Sequence, residues 1–332
     1  MIGASSFAGE VMVEALTQPP GSQVVAVFST SEARGRAFAD AHGIAQVHGS
    51  LDQILADPTV DAVYVSTTND LHAPQVIAAA GAGKHVLCEK PIATSLSAAR
   101  QMRDACRAAG VVFGVNHHMR CQETVRTMRR LLDAGAIGDV VAARIAFLAS
   151  LVAHRRTWRV SRPEAGAGVV LDLTVHDVDT LRYLLNEEIA SVTALTTTQG
   201  VSTGTIEDGV AGAMRTVTGK LVSFQDAFTI RHGGTALEVY GISGSLIGRD
   251  LLGAEPTGEV LLRRGNSIEP VAMEGDRPNP YVRIVEAFND AIHGRGEPCA
   301  VADDGIASLA VALAVLKSAQ TGSAVAPASA EG

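Results

Sequence analysis

The chain has no run of basic residues, and acids outnumber bases: 27 Lys plus Arg stand against 35 Asp plus Glu, a formal charge of −8. This argues against a nucleic-acid backbone as partner, although a local site can oppose the global sign and take a small anion. Long apolar stretches are missing too. The longest, Ile306–Leu316, is interrupted by Ser308 and falls far short of the roughly 20 residues that cross a bilayer. The opening Met1-Ile2-Gly3-Ala4 has no basic start of a secretion signal. Cysteine is scarce: Cys88, Cys106, Cys121 and Cys299 form no CxxC and no regular framework, so reduced thiols are expected. The expectation is a soluble, cytoplasmic protein with no membrane partner.

A hydrophobic content of 47% beside 19% charge is that of a folded chain. At about 150 residues per domain, 332 residues predict two domains. Residues 24–28, 62–65, 85–88 and 111–115 are apolar runs of strand length. Helical patterns over 32–42, 72–82 and 96–109 alternate with them, and Gly43, Gly83 and Gly110 stand at their ends. That alternation predicts a parallel sheet with helices on both faces. After residue 118 the rhythm changes. Helices are predicted over 122–134, 169–185, 281–293 and 304–319. Strands are predicted at 140–147, 191–197, 211–216, 221–227, 236–240, 245–247 and 259–263, which favours an antiparallel or mixed sheet. The Ala/Ser/Pro-rich residues 323–332 are expected to be disordered.

Gly3-Ala4-Ser5-Ser6-Phe7-Ala8 fits G-x-G-x-x-A with Ser5 in place of the second glycine. In such a turn the backbone approaches a pyrophosphate and the following helix presents its N-terminus to the phosphates; the alternative is a plain strand-to-helix turn. Only Met1 and Ile2 precede it, so the native chain is expected to start upstream or to have been trimmed. At the end of the next strand an NAD-preferring protein places an acid against the ribose 2′-hydroxyl. Here Ser29-Thr30-Ser31 offer hydroxyls, and Arg34 follows in the first helical turn as a bidentate partner for a 2′-phosphate. That pattern favours NADP.

Glu89-Lys90-Pro91 follows the strand at 85–88, at the carboxyl edge where open α/β sheets bind ligands. The proline suggests a fixed turn aiming Lys90; the alternative is a solvated loop lysine. Asp172 and His176 are four residues apart on one helix, so they share a face and the carboxylate can orient the imidazole for proton transfer. A surface pair or a metal site are the alternatives, but no further ligand has matching spacing and no metal is expected. The cluster His154-Arg155-Arg156-Thr157-Trp158-Arg159 holds the only tryptophan. It reads equally as a sugar or cofactor contact and as a packed loop anchor. Asn116-His117-His118 lie at the same sheet edge as Lys90.

Gly3–Ala8, Glu89-Lys90-Pro91 and the segment with Gly168, Asp172 and His176 resemble the signature set of the glucose-fructose oxidoreductase/inositol dehydrogenase (Gfo/Idh/MocA) family, over nearly the whole chain. Ser66–Asn69, Cys88–Pro91, Asn116–His118, Trp158-Arg159, Arg162–Gly166 and Asp172–Asp179 are more narrowly similar to an NADPH-dependent sugar-ketone reductase of that family. The sequence departs from the pattern at its short N-terminus and at Ala167, where the family's glycine triplet has its middle glycine. The resemblance implies an α/β protein: an N-terminal Rossmann doubly wound parallel sheet (1–118) and a C-terminal α/β domain (119–322) with an open, mainly antiparallel sheet that can carry a homo-oligomer interface. It implies catalytic roles for Lys90, Asp172 and His176. It implies cofactor contacts from Gly3, Ala4, Ser5, Ser6, Phe7, Ala8, Ser29, Thr30, Arg34, Thr67, Thr68, Asn69, Leu71, His72, Glu89, Lys90, Asn116, Trp158, Arg159 and Tyr281. Substrate contacts would come from Lys90, His154, Trp158, Arg159, Asp172 and His176. The implied function is NADPH-dependent reduction of a sugar-like ketone, with His176 protonating and Lys90 polarising the carbonyl. An inositol or other polyol dehydrogenase and a non-catalytic dinucleotide-sensing regulator are the alternatives.

Overall fold

Ile2 stands where a central strand would be expected. In the computed structural model, which describes residues 1–253, 257–273 and 279–329, Ile2 bridges in parallel to Phe28 on one side and Val65 on the other. Its N–H donates to Tyr64 O and its carbonyl accepts from Ser66 N–H, both at 2.9 Å, while Gly3 N–H donates to Phe28 O at 2.8 Å. Two residues thus join two short parallel sheets. These are β1 (Ala26–Phe28) with β2 (Gln46–His48), and β3 (Ala62–Val65) with β4 (His85–Cys88) and β5 (Phe113–Val115). The resulting order, β2-β1-Ile2-β3-β4-β5, is doubly wound, and its ligand edge lies at the carboxyl ends beside the central position.

Five helices accompany these strands: α1 (Val13–Thr17), α2 (Glu32–His42), α3 (Leu51–Ala56), α4 (Asn69–Gly81) and α5 (Leu96–Ala109). Ser31, Ser50 and Ser95 cap α2, α3 and α5 by accepting the N–H groups of Arg34, Gln53 and Ala98. Left-handed Gly43 and Gly110 end α2 and α5. β2 and α3 have no counterpart in the sequence reading, because β2 is a partly exposed edge strand without an apolar run. A sign was nonetheless present: Ser50 caps α3 and Gln53 Oε1 accepts Gly49 N–H, a close relative of the capping box. α4 begins three residues earlier than expected, with Pro74 inside it; the proline removes one hydrogen bond and the helix continues through it.

The chain divides into two compact units, one of Met1–His118 with Tyr281–Ile306 and the other of Met119–Pro280 with Ala307 onward. Residues 281–306 therefore belong with the first unit, which corrects the linear assignment of 119–322 to one domain. Which partner a helix face packs against is a tertiary choice that no local pattern encodes.

The second unit is built on an eight-stranded sheet: β6 (Val140–Ser150), β7 (Ile189–Thr197), β8 (Gly209–Thr216), β9 (Leu221–Ala227), β10 (Thr229–Gly241), β11 (Ser245–Arg249), β12 (Glu259–Arg264) and β13 (Ser267–Pro270). Its order is β13-β12-β11-β10-β6-β9-β8-β7, antiparallel except for the parallel pair β6–β9. Burial alternates along β9, with Val222 and Phe224 inward and Leu221, Ser223 and Gln225 exposed. The inward side meets α6 (Glu123–Asp133) and α7 (Val175–Leu185). The remaining helices are α8 (Pro280–Ile292) and α9 (Ala302–Thr321).

Two expectations for this unit are corrected. The helix predicted over 169–185 opens with a π-turn, Val170–Thr174, before the regular α7. The tail expected to be disordered from 323 is held as far as Val325, whose N–H and carbonyl pair with those of Val192 at 2.9 Å; 330–332 lie outside the described residues. A bidentate ion pair anchors α7: Arg120 Nε and one terminal nitrogen reach the two oxygens of Asp179 at 2.8 Å each, with Asp179 1% exposed. Among the described residues no helix is long and apolar enough to cross a membrane.

Candidate active site

The first unit gathers its polar residues at the carboxyl ends of its strands. Gly3 has φ of 103°, and a Cβ there would stand 2.7 Å from the Ser66 carbonyl oxygen, so only glycine lets the turn leave the sheet this closely. Ser5, at the second glycine position, places its Oγ 2.6 Å from Ser66 Oγ and accepts Ala8 N–H at 3.1 Å. The substituted residue thus caps the first helical turn, whose N–H groups make an anion-binding end. At the end of β1, Ser29 is buried while Thr30 and Arg34 are exposed. The nearest acid, Glu32, is engaged by Arg36 four residues on at 2.7 Å.

At the end of β4 the Lys90–Pro91 peptide is cis. Tyr64 donates to Glu89 Oε1 at 2.6 Å and the Asn116 side-chain amide donates to the same oxygen. Burial raises the Glu89 pKa, which these two hydrogen bonds oppose. Burial, and then the Glu89 charge, pushes the Tyr64 hydroxyl well up. His72 has no exposed surface, and its Nδ1 sits 3.0 Å from Pro91 O. Its ring braces the turn after Lys90. Burial lowers its pKa to about 4, so the ring is neutral at physiological pH. Thr67 donates to Gln75 Oε1 at 2.7 Å, and Asn69 is buried at the start of α4 with Thr68 before it and Leu71 half-buried after it. Tyr281 stacks on His118 with ring centroids 4.4 Å apart and meets Phe7 edge-on at 5.6 Å. It thereby lies among residues of this edge.

This edge fits a dinucleotide. Its helix N-terminus suits phosphates, and Asn116 Oδ1 is a buried acceptor that no donor of the described residues reaches, a match for the N–H of a carboxamide.

In the second unit, Arg159 lies over the Trp158 ring at 4.6 Å and its Nε is 3.6 Å from Asp172 Oδ1. Trp158 is therefore a half-buried platform for the arginine rather than a core residue. His154 is exposed in the short turn Ala153–Arg155. Gly168 has φ of 117°, and the Glu207 carboxylate fills the space its Cβ would need. That carboxylate accepts Val170 N–H at 3.2 Å while the Glu207 carbonyl accepts Val169 N–H at 3.1 Å. Glu207 thus caps the π-turn from 37 residues away, and burial raises its pKa. Asp172 stands half-buried in that turn and His176 is buried in the first turn of α7.

Tyr64, Ser66 and Glu207 escaped the sequence reading as site residues. Tyr64 carried one signal, since a tyrosine inside a buried strand needs a partner for its hydroxyl. Glu207 carried none, because its target lies on a distant segment.

A family model described as an oxidoreductase family with an NAD-binding Rossmann fold matches residues 1–117, and a GFO/IDH/MocA C-terminal domain model matches residues 125–247. The chain is 46% identical to a 1,5-anhydro-D-fructose reductase of Ensifer adhaerens, over 98% of this chain and 96% of that protein. It is 28% identical to a D-xylose 1-dehydrogenase (NADP(+)) of Haloferax volcanii, over 98% of each. Among solved structures, the aldose-aldose oxidoreductase of Caulobacter crescentus complexed with glycerol superposes with a TM-score of 0.90 at 25% identity, covering 98% of both chains.

Proposed function

The chain belongs to the GFO/IDH/MocA oxidoreductase family, and from that premise we propose that it is an NADPH-dependent reductase of sugar-like ketones that converts 1,5-anhydro-D-fructose to 1,5-anhydro-D-mannitol. The observation that carries this reading is the 46% identity, over nearly the full length of both proteins, to a reductase of that ketone. The choice of NADPH rests on the hydroxyls and the arginine at the end of β1, where a 2′-phosphate would meet Ser29, Thr30 and Arg34 instead of an acid. Gly3–Ala8, Glu89, Asn116 and Tyr281 would hold the rest of the dinucleotide. When bound, NADPH supplies the hydride from C4 of its nicotinamide. The charge that develops on the carbonyl oxygen then calls for a cation and a proton. Lys90 polarises that oxygen, His176 delivers the proton to it, and Asp172, paired with Arg159, orients the sugar and the imidazole. Trp158 and His154 contact the sugar. The exposed side of the eight-stranded sheet, where Leu195 is 75% and Leu221 57% exposed, is assigned to self-association.

Incubation with NADPH and the ketone, followed by NMR of the product, tests the reaction. The manno-configured alcohol is expected, and the gluco epimer would overturn the assigned product. Ser29→Asp tests the cofactor choice. A carboxylate at this position repels the 2′-phosphate and accepts from a 2′-hydroxyl, so kcat/KM for NADPH is expected to fall about 10–10²-fold relative to that for NADH. An unchanged ratio would remove the 2′-phosphate from this site.

A further inference from the structure

Asp226 on β9 has no exposed surface, yet it is a junction. Its Oδ1 accepts Phe147 N–H from β6 at 3.2 Å, and its Oδ2 accepts the Thr174 hydroxyl of the π-turn at 2.5 Å. Asp177, in the first turn of α7, faces it and is equally inaccessible. No N–H or O–H of the described residues reaches either oxygen of Asp177. A buried carboxylate with neither donor nor counter-ion is the costliest arrangement available to this side chain, whereas a neutral acid supplies its own donor. We propose that Asp177 is held as the neutral acid, its proton shared with Asp226, and that Asp226 positions His176 by gripping Thr174 and Asp177 on either side of it. This deepens the proposed function and rests on it only for the role of His176.

The surroundings favour the single proton. Across the sheet Asp226 registers with Phe147 on β6 and Val210 on β8, both apolar. The neighbouring acids are spoken for: Asp208 accepts the N–H groups of Gln199, Val201 and Ser202, and Glu207 accepts that of Val170. From the helix itself, His176 is the adjacent titratable group. No cationic group figures among the neighbours that shift either carboxyl group. Burial and then the Asp226 charge raise the Asp177 pKa well above the carboxylate range, and burial raises that of Asp226.

The sign follows from linkage. The folded state keeps a proton that the unfolded chain has released, so stability falls as pH rises from the ordinary carboxylate range toward the raised folded value. Thermal melts of the full chain between pH 5 and 9 read this without substrate. The wild type is expected to lose Tm with rising pH more steeply than D177N, whose amide donates to Asp226 at every pH; parallel curves would show that no proton is shared. Positioning is read separately from the ¹⁵N resonances of the His176 ring, assigned by their absence in H176A. D177A is expected to move them and D177N to leave them in place, and identical spectra for D177A and wild type would overturn the positioning role. With NADPH and the ketone, D177A is expected to lower kcat about 10–10²-fold with KM for NADPH unchanged. If D177A does not fold, D177N carries the test, because a shallower pH dependence of Tm than wild type and retained His176 resonances are both required. If the wild type turns over no ketone, the proposed function fails while the melts and spectra still decide the shared proton.

Discussion

Replacing His176 with alanine, or Lys90 with methionine, is expected to lower kcat for NADPH-dependent ketone reduction by about 10²–10⁴-fold each. The alkoxide that forms on hydride arrival needs a proton, and alanine at 176 has none to give. Methionine at 90 keeps most of the apolar stem and removes the ammonium that the proposed mechanism sets against the carbonyl oxygen. NADPH binding, read by nicotinamide fluorescence, should survive in H176A, which leaves the dinucleotide edge of the first unit intact. Full activity in both variants would dismiss the assigned site.

The second large effect is one of stability. Asp179→Ala leaves the Arg120 guanidinium, whose side chain is 10% exposed, without the carboxylate that holds it at two points. Breaking a buried pair from one side costs about 3–5 kcal/mol, more than the pair contributes when intact, because the remaining charge stays desolvated. For a unit of this size that is a fall in Tm of roughly 6–20 °C. Ser308 Oγ, which donates to Asp179 Oδ1 at 3.4 Å, loses that acceptor as well. Since Asp179 lies one helical turn beyond His176, activity should fall together with Tm; a calorimetric melt within about 2 °C of wild type would refute the anchoring role.

The motifs of this chain were readable because their chemistry is local. Gly3 is fixed by a turn that tolerates no Cβ, Ser29 and Arg34 by their place at a strand end, and Asp172 and His176 by helical spacing. The parallel sheet was equally visible, since strands buried on both faces read as apolar runs. What stayed hidden depends on distant partners. Glu207 caps a turn 37 residues before it, and Asp226 takes hydrogen bonds from β6 and from the π-turn. Residues 281–306 pack with the first unit although they follow the second in sequence. The strand β2 was missed because an edge strand need not be apolar, and α4 begins at Asn69, three residues before the predicted start at 72. The contact of buried His72 with the Pro91 carbonyl, 19 residues on, is another that only the fold brings together. Where a side chain's role is set by a contact across the fold, only the fold reveals it.

The most direct test is the loss of NADPH absorbance with 1,5-anhydro-D-fructose, with NADH in a parallel cuvette. The account predicts rapid loss with NADPH and at most slow loss with NADH. No loss with either cofactor would contradict the assigned substrate, and equal loss with both would contradict the reading of Ser29, Thr30 and Arg34 as a 2′-phosphate site.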